Sequence, residues 1–560
     1  GICDIKYDRS LPADGHIKVL ELGDARSSRF SHDGRHVKEA FDRGFCMDAE
    51  ILKRSVLVEN KKLTHDVFVQ EGFGGLRPAT GCYPRRYAPD LAERIAEDLG
   101  LSPADAAVLK LCNRSRGAGV VVCPAAKLDE TLRLLLQPLE GGELERWLED
   151  ACLHVLHEDF AEGPLAEHKL HYWSNECPVF LAERLCHSHP VRVPGDESGG
   201  EFDGTMRVSF ALQRKLPEEG GLRPEEDPAR GMSVHWLGGY WKLPPAPAGG
   251  IFSHAGEERA AKELRDQVVS SFSGAEKRTA PVPEELLREV YEALEPALPR
   301  IVLAGGFEPQ RIASERGGHS FGSQSFRAFV LARAAAAMDA SEAEKARAYL
   351  EQAARLVPPP RGGPDGLPER GVLSYVQRNL GALEAQRADW EAAGRCWEQA
   401  VRLLPTNASA LYLYGLSLQE RSQFKQAERY HLRSCALDPD FRSPLLALGA
   451  CRAFRGHYRE ALEAGLACLR RHPDAYVAQY NIGQAIYQLL REGWYADEKE
   501  AQELRRRALE ALEVAEAKNA GLWSDSDQRV VRYLQADPSP AREAMPRQPV
   551  NVWKTYGWRP

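Results

Sequence analysis

The sequence predicts two architectures in one chain, an α/β (or α+β) N-terminal half followed by an all-α solenoid. Three observations predict it. At 560 residues the chain is too long for one core, so two to four domains are expected. The N-terminal half runs through short apolar segments separated by helix-like stretches and glycine-rich breaks. In the C-terminal half Gly381, Gly415, Gly449 and Gly483 recur at a constant step, and Pro405, Pro439 and Pro473 recur at the same step.

Composition narrows the class. With 43% hydrophobic and 28% charged residues the chain reads as an ordinary globular protein, neither disordered nor fibrous. A net charge of −8 does not point to a general binder of nucleic acid or membrane surfaces. No apolar run reaches the roughly 18 residues that a spanning helix needs, and "GICDIKYDRS" has no signal-peptide core. Gly1, with Cys3 beside it, is a poor myristoylation acceptor because Ile5 stands where Ser or Thr belongs. Twelve cysteines are scattered without a C-x-x-C pair, so reduced thiols and a cytoplasmic location are expected.

The N-terminal elements follow in order. "HIKVLELGD" (His16–Asp24) reads as a buried strand, a helix-like stretch passes through Val37 and Phe41, and "SVLVEN" is a second apolar segment. Neither G-x-G-x-x-G nor G-x-x-x-x-G-K-[ST] is present, which removes the dinucleotide fingerprint and the P-loop. "ENKKLTHDVFVQEGFGGLRPAT" gives a lysine pair, a helix, a glycine break and a proline. "VLKLCNRSRGAGVVV" (Val108–Val122) then sets one lysine, Lys110, inside an apolar strand and follows it with Arg116, Gly117, Ala118 and Gly119. Such a loop is either a hairpin turn or a backbone cradle for phosphates, and Lys110 either snorkels from a strand edge or faces a ligand.

Further strands carry Glu183 in "VFLAERL", Asp203 and Arg207 in "GGEFDGTMRVSFAL", and Lys242 in "SVHWLGGYWKLP". Glu183 and Arg207 are also candidates for a structural ion pair across strands. His154, His157, His168, His171, His187 and His189 crowd one stretch, without a cysteine or carboxylate at zinc spacing. They are expected to be exposed or to line a cleft. "APVPEELLREVYEALEPALPRIVLAGGFEPQ" reads as a helix followed by a short strand.

The order of these parts resembles the ATP-grasp superfamily. The resemblance rests on Asn60 to Thr64 as the start of a helix, Lys110 with its glycine-rich flap, Glu183 in "FLAERL", and the D-x-x-x-R strand Asp203 to Arg207. It covers roughly residues 15 to 300. It implies a carboxylate–amine ligase that uses ATP and Mg²⁺ and passes through an acyl phosphate. By that likeness Lys62, Lys110 and Arg116 to Gly119 hold phosphates, and Glu183 with the backbone through Leu185 holds adenine and ribose. Arg207 and Lys242 serve the transferred phosphate or the carboxylate, while Asp203 and Glu201 (or Glu158 and Asp159) supply metal ligands. Charge developing on a phosphoryl group in a dry cleft calls for such cations. The chain departs from the family in having no E-x-N motif between Lys242 and the repeats, which leaves a rearranged metal site or a non-catalytic domain as alternatives.

The C-terminal period resembles tetratricopeptide repeats. Ser374 to Asn407 carries Leu380, Gly381, Ala393, Trp397, Ala400 and Pro405 at the family's positions. "ARAYLEQAARLVP", with Ala346, Leu350, Ala353 and Pro358, reads as a degenerate first repeat with Ala334 in place of glycine. Tyr495 breaks the pattern in the fourth repeat, and a polar helix from about Glu498 to Asn519 is expected to cap the array. The likeness implies a concave face for a peptide or protein.

The expected organisation is a leading α/β subdomain over 1–58, an ATP-grasp-like domain over 59–305, a linker over 306–325, the solenoid and cap over 326–536, and a tail over 537–560. The function expected first is an ATP- and Mg²⁺-dependent ligase whose repeats bind its peptide or protein substrate. The alternatives are a nucleotide-sensing or non-catalytic domain on a repeat scaffold, and phosphotransfer without ligation.

Overall fold

The computed structural model describes residues 60–114, 119–157, 160, 173, 176–193, 200–214, 229, 232–244, 246–248, 279–304, 323–336, 338, 340–518 and 525–535. The strand at His16–Asp24, the helix through Val37 and Phe41, the flap residues Arg116, Gly117 and Ala118, the carboxylates Glu158 and Asp159, and His168 and His171 lie outside these residues. The chain forms two compact units, Gly1–Gln137 with Cys177–Val372, and Pro138–Glu176 with Leu373–Pro560.

The first unit opens with helix α1 (Lys61–Gln70), whose N-cap Asn60 accepts from the N–H groups of Lys62 and Leu63 at 3.0 and 3.3 Å. Strand β1 (Thr80–Pro84) follows, then α2 (Leu91–Leu99), which buries Leu91, Ile95 and Leu99 along one stripe and stops at Gly100 in the left-handed region. Strands β2 (Ala106–Leu111) and β3 (Val121–Pro124) form a hairpin with Leu109 opposite Val121. Helix α3 (Leu128–Leu136) buries Leu128, Leu132, Leu135 and Leu136. The chain then leaves this unit for α4 (Gly141–His154) and returns to it at β4 (Val179–Arg184). The four strands make one antiparallel sheet in the order β1-β4-β2-β3. Central position explains why β4 opens on four apolar residues, Val179 to Ala182, buried on both faces.

Two smaller antiparallel sheets follow. Strands β5 (Pro190–Arg192) and β6 (Glu201–Asp203) form the first, and β7 (Thr205–Arg214), β8 (Met232–Lys242) and β9 (Thr279–Pro281) form the second. Val191, Phe202, Trp241, Leu243 and Ala280 share one core. Helix α5 (Glu284–Leu294) stacks Tyr291 on Trp236, with ring centroids 4.1 Å apart. The short strand expected after it is instead helix α6 (Leu298–Ala304). The run Ile301-Val302-Leu303 suits a strand locally, but Pro299 sits in the first helical turn, where its missing N–H costs nothing. Helices α7 (Gln324–Ala336) and α8 (Ala343–Leu356) pair with Ala346, Leu350 and Ala353 buried.

The second unit is a helical array. Helix α9 (Leu367–Gln386) carries the chain into it and pairs with α10 (Trp390–Leu403). Then come α11 (Ala408–Glu420) with α12 (Phe424–Leu437), α13 (Arg442–Phe454) with α14 (Tyr458–Arg471), and α15 (Tyr476–Glu492) with α16 (Glu498–Lys518). Helix starts keep the step of the glycines, at Trp390, Phe424 and Tyr458 and again at Ala408, Arg442 and Tyr476. So do the turns within pairs, where Ala388, Ser422 and Gly456 all take positive φ. Helix α17 (Asp525–Gln535) closes the end, with Asp527 accepting from the Tyr480 hydroxyl at 2.6 Å.

At Gly381, Gly415 and Gly483 the second helix of the pair comes too close for a side chain, whereas at Gly449 a Cβ would make ordinary contacts at 3.5 Å and beyond. A Cβ at Gly381 would lie 2.5 Å from the Trp397 indole nitrogen, and one at Gly415 would lie 2.7 Å from His431. Trp397 is fully buried and donates its indole N–H to the Arg378 carbonyl at 2.9 Å. His431 takes the equivalent place in the next pair, fully buried, with neither ring nitrogen partnered among the described residues.

Helix α4 comes from the middle of the N-terminal half, yet it packs on the repeats. Leu144, Leu148 and Ala151 meet Leu411, Ala436 and Leu437. Val155 joins Cys435, Leu445, Ala467, Cys468, Ala475 and Ala478. The sequence placed this stretch within 59–305. Its stripe at i, i+4 and i+7 reports that one face is buried, and carries no information about which surface buries it.

Burial lowers the His431 pKa from 6.5 to about 3, so the folded unit holds this ring neutral. As pH falls below about 6.5 the unfolded chain takes up a proton that the fold refuses, and stability drops by about 1.4 kcal/mol per pH unit down to about pH 3. Urea denaturation of the repeat unit at pH 7 and pH 5 should therefore show wild type losing about 2 kcal/mol more than His431→Phe.

Candidate functional site

Of the residues singled out in sequence, Lys110 and Glu183 lie on one face of the four-stranded sheet, with Lys62 on the helix that precedes it. Val108 lies opposite Glu183, and Lys110 opposite Leu181. Opposed residues share a face, as do residues two apart on a strand. Glu183 and Lys110 therefore project together, and Cys82 and Thr80 of β1 join them. Tyr83 points to the other face, where its hydroxyl donates to Asp98 of α2 at 2.7 Å.

Lys110 Nζ is ion-paired with Glu183, whose side chain is only 6% exposed. Arg77 reaches the same carboxylate, with Nη2 at 3.4 Å. Helix α1 adds three more polar side chains. Lys61 donates Nζ to the Leu111 carbonyl at 3.1 Å and also to the Arg114 carbonyl, while its backbone N–H donates to the Cys112 carbonyl at 2.9 Å. These bonds tie the start of α1 to the end of β2. Burial lowers the Lys61 pKa. Lys62 is buried, ion-paired with Asp66, and stands 5.0 Å over the Phe326 ring. His65 is held toward its neutral form by burial and then by the Arg77 charge, and its Nδ1 is buried without a partner among the described residues.

Three cationic side chains (Lys62, Arg77 and Lys110) thus meet two carboxylates, Asp66 and Glu183, while Lys61 is held on backbone carbonyls. The surplus is positive in a largely buried setting, which suits a polyanion such as a phosphate chain. The thiols nearby are no nucleophiles at neutral pH. Burial pushes Cys82 up to about 12 and Cys112 well above its usual range.

Other expected roles meet a different geometry. Lys110 and Glu183, assigned by the family likeness to phosphate and to adenine, touch each other because β4 lies beside β2. The Leu185 N–H, expected near the adenine, is engaged with the Ala106 carbonyl at 3.0 Å. Gly119, the one flap residue among those described, takes φ of +67°. Glu183 pairs with Lys110 and Arg77 rather than forming the cross-strand pair with Arg207. Arg207 and Lys242 share a face of the β7–β8 ladder, opposite Tyr240 and Thr205, on a separate sheet from Lys110.

Asp203 is buried, with His187 Nδ1 at 2.9 Å from one oxygen and the Ser188 N–H donating to the other at 2.8 Å. Glu201, the exposed first residue of β6, accepts from Arg192 Nη2 at 2.6 Å. Both carboxylates are already engaged, and among the described residues no group of three or more His, Cys, Asp or Glu could hold a metal ion. To take a Mg²⁺ ion, Asp203 and Glu201 would each have to give up a partner that they hold in this structure. His154 and His157 lie at the end of α4 with rings 5.8 Å apart, the first of them ending a helix that the sequence left unmarked. Arg77, Lys61 and His65 were missed. Arg77 follows the glycine break, and only its reach back to Glu183 gives it a place in the site.

No protein-family model and no curated protein matches this chain. Solved structures similar to it are tetratricopeptide repeat proteins that match the helical C-terminal region. YrrB, "a TPR protein with an unusual peptide-binding site", is 20% identical with a TM-score of 0.27, covering 38% of this chain and 91% of that one. MamA from Desulfovibrio magneticus is 18% identical with a TM-score of 0.27, covering 34% and 96%. The Arabidopsis OM64 TPR domain is 21% identical with a TM-score of 0.20, covering 20% and 93%.

Removing Lys110 leaves the Glu183 carboxylate to Arg77 alone. Lys110→Met should cost about 2 kcal/mol, below the full penalty for orphaning a buried charge because Arg77 remains. The double variant Lys110→Met/Glu183→Gln should cost less than the single one. Chemical denaturation of both variants checks the order.

Proposed function

We propose that this chain is a binding scaffold whose repeat array takes a peptide or protein. The observation that carries this reading is that the array already holds a non-repeat segment. Glu176, 2% exposed, lies with its carboxylate 2.5 Å from Arg378 Nη1 and 2.8 Å from Asn407 Nδ2. Arg470 and Arg471 donate to the Leu156 and Val155 carbonyls at 2.7 and 2.6 Å. A stack of helix pairs offers a long surface on which side chains and arginines from successive pairs can grip an extended or helical segment.

A second reading is favoured by the positive surplus on the sheet. There Lys62, Lys110 and Arg77 would receive the phosphates of ATP, with Glu183 releasing Lys110 as they arrive. In this reading the first unit is an ATP-grasp-like nucleotide domain, either a carboxylate–amine ligase fed by the scaffold or a nucleotide sensor. Its chemistry would lie in charge neutralisation by these side chains.

Selection of a displayed peptide library on the full chain, followed by crosslinking, tests the scaffold. Peptides should enrich and crosslink within residues 373–518; no enrichment, or crosslinks confined to residues 60–137, contradicts it. Calorimetry with ATP, with and without Mg²⁺, tests the second reading. Micromolar binding lost in Lys110→Ala supports it, and no heat of binding sinks it.

A further inference from the structure

The surface that α4 covers has a definite chemistry. Its apolar floor comes from two elements, Leu411 at the start of α11 and Ala436 and Leu437 at the end of α12. Its rim is basic. Arg433 is ion-paired with Glu145, and both Arg433 and Arg429 act on the nearby Cys152 thiol. Farther along, Arg470 and Arg471 bind the carbonyls that follow the helix. The occupant is the complement of this surface. Helix α4 presents Leu144, Leu148 and Ala151 inward and carries Glu143, Glu145, Glu149 and Asp150 against one arginine, Arg146. Its outer side stays open to solvent, with Leu153 73% exposed.

Nothing in the repeat plan needs this helix. The helix pairs from α9 to α16 stack in sequence, and among the described residues α4 packs on them from outside the period. The segment leaves the first unit after Gln137 and rejoins it at Cys177, so it is tethered at both ends. A tether of this kind holds a ligand at an effective concentration in the millimolar range, enough to occupy a site that a free partner would fill at micromolar affinity.

We propose that this surface is a docking site for an acidic amphipathic helix of a partner protein, and that helix α4, with Val155, Leu156 and Glu176, fills it in cis as a competing ligand. This rests on the reading of the array as a scaffold and names the partner's chemistry: apolar residues at i, i+4 and i+7, carboxylates on the flanks, and a further carboxylate for Arg378 and Asn407.

The test uses the full chain and a fluorescent synthetic peptide with the sequence of residues 138–160. A chain carrying Leu144→Asp and Leu148→Asp should bind this peptide at least tenfold more tightly than wild type, because its own helix is disarmed. Adding Arg433→Glu should weaken that binding about tenfold, and a peptide bearing Glu145→Arg should recover it. If the disarmed chain loses its helical circular dichroism, Glu145→Arg alone serves, since it breaks one exposed ion pair; peptide binding should still rise above wild type. A folded, disarmed chain that ignores the peptide overturns the proposal and makes α4 a permanent part of the unit. Self-association of the wild-type chain that the peptide dissolves also overturns it, assigning the surface to a second copy. Library peptides that bind the array without competing with the 138–160 peptide leave the scaffold reading standing and sink this surface alone.

Discussion

Close approach between paired helices is the constraint on which the array depends. A single helical hairpin buries too little apolar surface to be stable, so the pairs stack, and within each pair the two helices meet across a small-residue seam. Gly381 against Trp397 and Gly415 against His431 show how narrow that seam is, with space for the larger partner only because the nearer helix has no Cβ. The same spacing forces the chain through the left-handed region at Ala388, Ser422 and Gly456, and only the last of these is a glycine. Where the fourth pair departs from the period, α15 runs longer and ends at Gly493, which supplies the left-handed residue in the expected way.

Buried charge imposes a second constraint. Glu176 and Glu183 are both nearly inaccessible, and each is tolerated only because an arginine or lysine and further donors meet it. Glu176 anchors a segment on the repeats. Glu183 gathers Lys110 and Arg77 on a sheet face that keeps more cations than carboxylates. Each is a place where an incoming anion would have to compete with a carboxylate already present, so occupancy by ligand implies rearrangement of the ion pair.

The legibility of these features in the sequence differs for physical reasons. The repeats are legible because every pair solves the same packing problem, so its solution recurs at a fixed step. Lys62, Lys110 and Glu183 stand out as charges within apolar strands and at a capped helix start, and they do come together. Arg77 gives no such sign, because its role depends on a turn that brings residues 106 positions apart into contact. The family likeness marked Asp203 as a metal ligand, and His187 and Ser188 hold it by an adjacency that the β5–β6 hairpin creates. The short helix α6 defeats local propensity, since its β-branched residues follow a proline that starts a helix. Helix α4 shows the limit most clearly, for its periodicity reveals a buried face and leaves the partner open.

The central claim is that residues of α4 belong to the repeat unit as a ligand-like element. Native-state hydrogen exchange read by mass spectrometry measures this directly. Amides of Gly141–His154 should exchange through an opening of lower free energy than those of Phe424–Leu437, as expected for a segment that leaves while the array stays folded. Exchange of both segments in one cooperative opening would contradict the account and make α4 part of the core.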